Sequence, residues 1–423
     1  MALLRLRLRN FKAFDDRGVE LFPGRITVLI GPNGSGKSSI LQALGLVKQS
    51  RGNDQLKFDG PQVFGDLGDL MHQPPNEDDE KGIVVELDST FDKPFRPRFH
   101  LAGRFNLKVE FQRDFVQRVK AEISTNEWEL IGESDRGTGI TSISPRTLDY
   151  EQTILNLVIG LNLGRPFGVS GRSGPSNTAF ERAANKFFES LNEDLENLFL
   201  VPALRGFEVL AHQQLPNPIK RKDLMEWPSF ADRAKAIATV FLHNDEIERE
   251  VSKWMEQVTG RSIHHRGAAQ YHVALMTSDG TFQYNLAHDG FGTNQLLYLF
   301  TQIALAPSKS FICIDEPEIH LHPRAQNSLS SVLVDIATQS DKQLLLSTHS
   351  EHVLMGLVTA VAQGRLRPEE LSVYYFSRSE STATAERLEV TAKGQIKGGL
   401  KGFFEVEIEE QQQYLEALSQ KSK

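Results

Sequence analysis

Apolar and basic residues alternate along residues 3–9, Leu-Leu-Arg-Leu-Arg-Leu-Arg, which predicts a strand with one buried face. Arg5, Arg7 and Arg9 share its other face, read as a solvated surface and not as a polyanion-binding stripe. Ile26 to Ile30 is instead a continuous β-branched, apolar run, followed by a glycine-rich loop and a helical pattern from Ser38 to Leu46. Residues 83–91, 104–113, 117–125 and 127–131 alternate again between turn signals and predict an antiparallel β lobe. From Leu148 the period lengthens, and 150–163, 179–198 and 229–258 are expected to be helices, with Phe187, Phe188, Leu191, Leu195 and Leu198 facing a core. Strands return at 271–276 and 281–286 around Ser278-Asp279-Gly280, a good hairpin turn. An apolar helix pattern runs up to Ala306, and two more apolar strands follow at 310–316 and 343–350. Residues 50–82 and Gly168 to Ser176 read as loops.

These elements predict an α/β chain with a discontinuous core, residues 1–135 and 262–423, carrying the β lobe, and a mostly helical insertion over 136–261. A length of 423 residues fits two or three structural units, and 39% hydrophobic residues suffice for a large core. The single cysteine, Cys313, rules out a disulfide within the chain and a zinc cluster built on cysteines. No run approaches the ~18–20 apolar residues of a membrane span. The beginning of the chain lacks a signal-peptide pattern, so a cytoplasmic protein with no membrane partner is expected. The formal charge of −8 means that any contact with DNA must come from a local patch or from a partner.

The loop after the first apolar run reads Gly31-Pro32-Asn33-Gly34-Ser35-Gly36-Lys37-Ser38-Ser39, the spacing of a phosphate-binding P-loop between strand and helix. Glycines let successive N–H groups turn inward around phosphate oxygens, and the helix N-terminus adds its positive end. Pro32 has no N–H, so the donors are expected from Asn33, Gly34, Ser35 and Gly36 onward through Ser39. Lys37 is expected against the β- and γ-phosphates, with the Ser38 hydroxyl on Mg²⁺. The strand 310–316 ends in Asp315-Glu316, which separates two tasks: Asp315 for the Mg²⁺ shell, and Glu316 for polarising the attacking water. The strand 343–350 ends in Ser347-Thr348-His349-Ser350, where His349 is expected to sense the γ-phosphate. A nucleoside triphosphate, ATP, and Mg²⁺ are therefore the expected ligands.

Ile314-Asp315-Glu316-Pro317-Glu318-Ile319-His320-Leu321-His322-Pro323 and Ser347-Thr348-His349-Ser350 resemble the Walker B, D-loop and switch-histidine segments of ABC-type ATPases. More narrowly the chain resembles the RecF/SMC/OLD, AAA-like branch. Asn10-Phe11-Lys12-Ala13-Phe14 is similar to that branch's first-strand motif, which implies that Lys12 reaches the nucleotide. Val201 to Gly206 and Gly402-Phe403-Phe404-Glu405 resemble further segments of the group. The fold implied is an ABC-type P-loop ATPase head. Where the family carries a Leu-Ser-Gly-Gly-like signature, this chain has Asp289-Gly290-Phe291-Gly292-Thr293-Asn294-Gln295. The resemblance implies that Gly290, Gly292, Thr293 and Asn294 cap another subunit's γ-phosphate, with Thr293 or Asn294 replacing the signature serine. The Q-loop glutamine is expected between Gly60 and Gln73. His320 and His322 fall in the D-loop pattern and lack a third zinc ligand.

The function implied is a Mg²⁺-dependent ATPase switch that assembles through ATP sandwiched between subunits, in genome maintenance or anti-phage defence. A transporter subunit is disfavoured by the long span from P-loop to signature and by the missing signature serine. A zinc-hook or SMC repair ATPase would need coiled-coil arms. An OLD-type nuclease would need a TOPRIM domain, and no Asp-x-Asp pair follows His349. The expected partner is a separate effector, in the first place a nuclease. Direct DNA binding and an ATP-holding scaffold with little turnover are the alternatives.

Overall fold

Whether a strand alternates or runs apolar throughout decides where it lies. The computed structural model describes residues 2–50, 67–72, 82–96, 99–112, 115–125, 128–135, 138–145, 159–162, 165–169, 197–203, 212–213, 230–268, 272–379 and 382–399. The alternating strands β1 (Ala2–Arg9) and β2 (Val19–Leu21) open the chain, and the apolar β3 (Ile26–Ile30) leads into α1 (Lys37–Gln49). After the short helix α2 (Leu67–Leu70) come β4 (Ile83–Arg96), β5 (Phe99–Gln112), β6 (Phe115–Thr125), β7 (Trp128–Asp135) and β8 (Thr138–Pro145). These form one antiparallel sheet with β1 and β2, in the order β2-β1-β4-β5-β6-β7-β8. Each hairpin strand runs longer than its sequence pattern foretold.

Register explains the arginine stripe. Arg5 lies opposite Asp88 on β4, and its guanidinium also reaches Glu20 at 2.5 Å and Glu86 at 3.1 Å. The cation is matched by three carboxylates, so this face is a charge ladder within the sheet. A register shift between Leu3 and Arg5 lets Leu3 bury along with Leu6 and Leu8.

The chain continues through β9 (Ile159–Asn162), β10 (Arg165–Val169), β11 (Leu198–Val201) and β12 (His212–Gln213) to α3 (Phe230–His243) and α4 (Asp245–Thr259). Then follow β13 (Ser262–Ala268), β14 (His272–Ser278), β15 (Gln283–Asn285), α5 (Phe291–Leu305), β16 (Phe311–Asp315), α6 (Pro323–Gln339) and β17 (Gln343–Ser347). Helix α7 (Glu351–Ala362), β18 (Leu371–Arg378) and β19 (Ala383–Leu388) close the described fold. The second large sheet has the order β11-β16-β17-β3-β18-β19, parallel except for β19.

This sheet sorts its side chains by parity into two cores. Ile26, Val28 and Ile30 of β3, Ile312 and Ile314 of β16, and Leu344 and Leu346 of β17 pack with α4, α5, α6 and α7 on one face. Leu29, Cys313, Leu345 and Phe311 pack on the other, against Ile40, Leu41 and Leu44 of α1 and the β lobe. Both faces are covered, so the strands need apolar residues at every position. Each such fully buried side chain contributes about 1.5–3 kcal/mol.

Three local expectations are corrected. Residues 159–162, placed in a helix by period, form β9, because Gly160, Pro166 and Gly168 weaken a helix while Asn162 pairs with Arg165 in a hairpin. The helix expected over 229–258 is two helices, broken at Asn244, whose side-chain carbonyl accepts from the Ile247 N–H at 3.1 Å and caps α4. Leu198, expected to end a helix, opens the strand Leu198–Val201, a stretch expected to lie in the insertion that is the edge strand beside β16. With α4 packed on α5 and α6, part of the 136–261 span belongs to the core sheet and its helix layer. Within the same span β8 joins the lobe sheet, and Gly168 and Val169, expected to open a loop, end β10. Residues 170–196, with the rest of that loop to Ser176 and the expected helix from 179, lie outside the described residues, as do Leu204 to Gly206 and Gly402 to Glu405. The hairpin at Ser278-Asp279-Gly280 forms as expected, closed by Asp279 N–H to Phe282 O. No helix among the described residues is long and apolar enough to cross a membrane.

Candidate functional site

The parallel sheet ends its strands β3, β16 and β17 side by side, so the loops that follow them meet at one edge. After β3 the chain turns at Gly31, whose φ of 143° admits no ordinary side chain and whose Cβ would stand 2.2 Å from the Phe376 carbonyl oxygen. Gly36, at φ 99°, is the N-cap of α1 and offers no side-chain cap, so the helix start keeps its N–H groups for an anion except that of Ser39, which donates to Gly36 O at 3.1 Å. A Cβ at Gly36 would lie 2.8 Å from the Phe14 ring, which wedges the segment after β1 under the loop. The Ala383 N–H donates to Ala13 O at 2.7 Å, tying that segment to β19.

Lys37 is buried, and its ammonium donates to the carbonyls of Gly31 and Pro32, each at 2.8 Å. Burial pushes its pKa below the ordinary lysine value, opposed by the charges of Glu316, Asp315 and Glu318. The lysine is thus a cation held by its own loop and facing three carboxylates.

Asp315 ends β16 opposite Ser347 of β17. Its Oδ1 accepts from the Ser38 hydroxyl at 3.0 Å and from the Ser347 hydroxyl. Ser38 and Asp315 are therefore brought together, as expected, into a pair of hard oxygen donors that suits Mg²⁺. Glu316 follows with φ 45°, a left-handed backbone unusual for a non-glycine residue, anchored by its N–H to Ser347 O at 3.0 Å. Its Oε1 lies 3.6 Å from His349 Nε2, so the two expected catalytic residues face each other. Burial, and then the Lys37 charge, push the His349 imidazole below its ordinary value, against the pull of Glu316 and Asp315.

Lys12 also has a left-handed backbone, φ 49°, and its ammonium donates to Gln42 Oε1 of α1 at 2.9 Å. Its N–H donates to Leu70 O, and its carbonyl oxygen lies 2.7 Å from His72 Nδ1. Residues 67–72 thus rest on the segment after β1, while the remainder of Gly60 to Gln73 lies outside the described residues.

The signature segment sits at the start of α5. Gly290 is its N-cap, with open space around its Cα, and Phe291 is exposed. Asn294 turns inward instead of outward: it is buried, and its amide donates to Leu286 O at 3.2 Å. Gly290 and Thr293 are left to present the helix start. Gly292 packs on the D-loop, where a Cβ would stand 2.6 Å from His320 O. The His320 ring meets Phe291 edge-on at 5.2 Å, and His322 Nδ1 caps α6 by accepting from the Arg324 N–H. Among the described residues no group of three or more His, Cys, Asp or Glu is arranged to hold a metal.

Sequence reasoning missed two residues. Arg378, at the end of β18, donates to Gly34 O at 3.4 Å and so touches the P-loop. Glu318, quoted only as part of the D-loop, is buried, and its Oε1 accepts from Thr348 Oγ1 at 2.6 Å and from His349 N–H at 3.1 Å. An acidic residue set between Pro317 and Ile319, directly after Asp315-Glu316, was the available signal.

A family model described as "AAA domain, putative AbiEii toxin, Type IV TA system" matches residues 26–355, and a second, described as an AAA domain, matches residues 1–47. Over 71 residues the chain is 45% identical to the chromosome partition protein Smc of Rhodopirellula baltica, covering 15% of this chain and 6% of that protein. Over 372 residues it is 23% identical to the OLD nuclease of Thermus scotoductus, covering 82% of this chain and 59% of that one. The chain thus spans less than two thirds of either relative. Among solved structures, the SMC head domain of Thermotoga maritima matches with a TM-score of 0.42 at 14% identity, over 92% of this chain and 100% of that one. The Smc head bound to the C-winged helix domain of ScpA matches with a TM-score of 0.46 at 13% identity, over 92% and 99%. With its P-loop, its Asp315-Glu316 strand end and a family match over residues 26–355, the chain belongs to the AAA-domain family of that description.

Proposed function

We propose that the protein is a Mg²⁺-dependent ATPase that acts as a switch for a separate effector. The observation that carries the reading is the convergence of Lys37, the Ser38–Asp315 pair and the facing Glu316 and His349 at one sheet edge. The P-loop N–H groups from Asn33 to Ser39 bind the phosphates. Lys37 exchanges the Gly31 and Pro32 carbonyls for β- and γ-phosphate oxygens. Mg²⁺, held by Ser38 and Asp315, would draw charge off the phosphoryl oxygens. Glu316 orients the attacking water and takes up its proton, and the His349 imidazole stays neutral so that one ring N–H can donate to the γ-phosphate. Steady-state ATP turnover with and without DNA, beside a Glu316→Gln control, tests this. Turnover equal to that of the control would leave the scaffold reading.

The lowered pKa of His349 has a sign that can be measured. In the nucleotide-free protein its neutral form persists below pH 6.5, the ordinary histidine value, so kcat/KM, which reports the free protein's groups, is expected to hold across that value as far as His349 governs it and to fall only in more acidic solution. A kcat/KM profile already halved at pH 6.5, with that fall absent from a His349 variant, would contradict this assignment.

Assembly through the signature segment is also part of the reading. Gly292→Asp would drive a side chain into the His320 carbonyl, so its effect would mix packing with charge. Gly290 is open and has an ordinary backbone, φ −58°. Gly290→Asp is therefore expected to fold normally and to abolish ATP-dependent association by placing a carboxylate against the partner's triphosphate. Light scattering with and without ATP checks it, and unchanged association would remove the segment from the interface.

The names of the relatives support an effector. One is a nuclease, and the family description names a toxin of a toxin–antitoxin system. A defence role, with ATP state governing such a partner, follows from this reading. The partition protein's name supports a second reading, a genome-maintenance ATPase that binds DNA directly, which the DNA arm of the assay separates.

A further inference from the structure

We propose that Glu318 is a positioning residue for His349, joining the D-loop to the switch segment within one subunit. The proposal rests on the ATPase reading for its kinetic consequence and on geometry for its existence. His349 lies between two residues that are both tied to the stretch 318–326. On one side, Glu318 Oε1 accepts from Thr348 Oγ1 at 2.6 Å and from the His349 N–H itself at 3.1 Å. On the other, Ser350 Oγ donates to Gln326 Oε1 at 2.6 Å, while Gln326 Nε2 donates to Leu321 O at 2.8 Å. The Thr348 hydroxyl also accepts from the Ser350 N–H at 2.9 Å, which closes the clamp around the histidine's backbone.

A buried carboxylate is a costly way to satisfy two donors, because an amide or hydroxyl oxygen would do so without a charge. Burial raises the Glu318 pKa, against the two hydrogen bonds that favour its ionised form, and Oε2 has no partner among the described residues. What the side chain adds is one acceptor oxygen shared by two donors of the segment that aims His349 at Glu316. The same loop carries His320, left-handed at φ 62°, whose carbonyl packs on Gly292 of the signature helix. The clamp therefore reaches from the start of α5 to the imidazole.

Glu318→Ala removes the acceptor and strands a buried hydroxyl and an N–H, whereas Glu318→Gln keeps an acceptor oxygen. In the full chain, Glu318→Ala is expected to lower kcat about 10-fold or more while changing the Kd for ATP less than about 3-fold, and Glu318→Gln is expected to restore most of the turnover. In a His349→Ala background the Glu318→Ala change is expected to cost nothing further, since both act through one side chain. The His349 ring resonance, identified by its loss in His349→Ala, is expected to move in Glu318→Ala and to stay in place in Glu318→Gln. Multiplicative kcat losses in the double variant, or an unmoved ring resonance in Glu318→Ala, would overturn the proposal. If the wild-type chain shows no turnover, the ATPase reading fails and the resonance alone decides the clamp. If Glu318→Ala does not fold, Thr348→Val removes one donor to Glu318, together with the acceptor of the Ser350 N–H, with the same readouts. There, a shifted His349 resonance is expected, and an unshifted one counts against the clamp.

Discussion

Lys37→Ala is expected to abolish tight ATP binding, weakening it by about 100-fold or more. This magnitude follows from hydrogen bonds to charged groups, worth roughly 1.5–3 kcal/mol each, with about 1.4 kcal/mol per tenfold in affinity. Lys37 is the buried cation of the P-loop, and burial has already removed part of its hydration. In the protein its ammonium is kept in place by the Gly31 and Pro32 carbonyls, so reorientation toward phosphate requires no long movement. Alanine leaves those carbonyls without their donor, so a thermal midpoint measured in parallel separates lost binding from lost folding. Calorimetric titration with ATP and Mg²⁺ reads the effect. Unimpaired affinity in a folded variant would displace the site from this loop.

Glu316→Gln is expected to separate binding from chemistry. The amide matches the carboxylate in shape and tolerates the same φ of 45° no worse, so the 3.6 Å approach to His349 and the Kd for ATP are retained. The amide is a poor proton acceptor, so kcat is expected to fall about 100- to 10,000-fold, the range that general base catalysis contributes. Single-turnover and steady-state rates should fall together. A variant that turns over ATP normally would show that another group activates the water. The left-handed backbone of Glu316 supports its role, because such a conformation costs energy and persists only where the surroundings impose it.

The elements legible in the sequence are those with dense local signals. The P-loop was readable because strand, glycine spacing and helix occupy adjacent positions, and Asp315-Glu316 because it ends a short, wholly apolar strand. The β lobe was readable because its inner face alternates through Val85, Leu87, Leu107, Val109 and Phe111. What failed depends on distant partners. Leu198–Val201 has no period of its own and becomes a strand only because β16 offers an edge. The break at Asn244 was hidden because helical spacing continues on both sides of a cap. Glu318 and Thr348 are 30 positions apart, and the packing of Gly292 on His320 spans a similar stretch, so neither pattern could reveal them. The inward turn of Asn294 was equally invisible, since a polar residue at a helix start ordinarily faces water.

Cys313 lies in the middle of β16, one strand in from the edge of the parallel sheet, fully buried, and burial pushes its thiol far above the ordinary cysteine value. A thiol that cannot ionise and has no access to solvent does not react with maleimides or alkyl iodides. The chain contains no other cysteine, so these 423 residues present a silent background to thiol chemistry. A cysteine placed at Gly290 would take up a fluorophore there and nowhere else, with Cys313 left in place to keep the sheet intact. The emission of that dye, followed while nucleotide is added, would report whether a second subunit reaches the start of α5, and when.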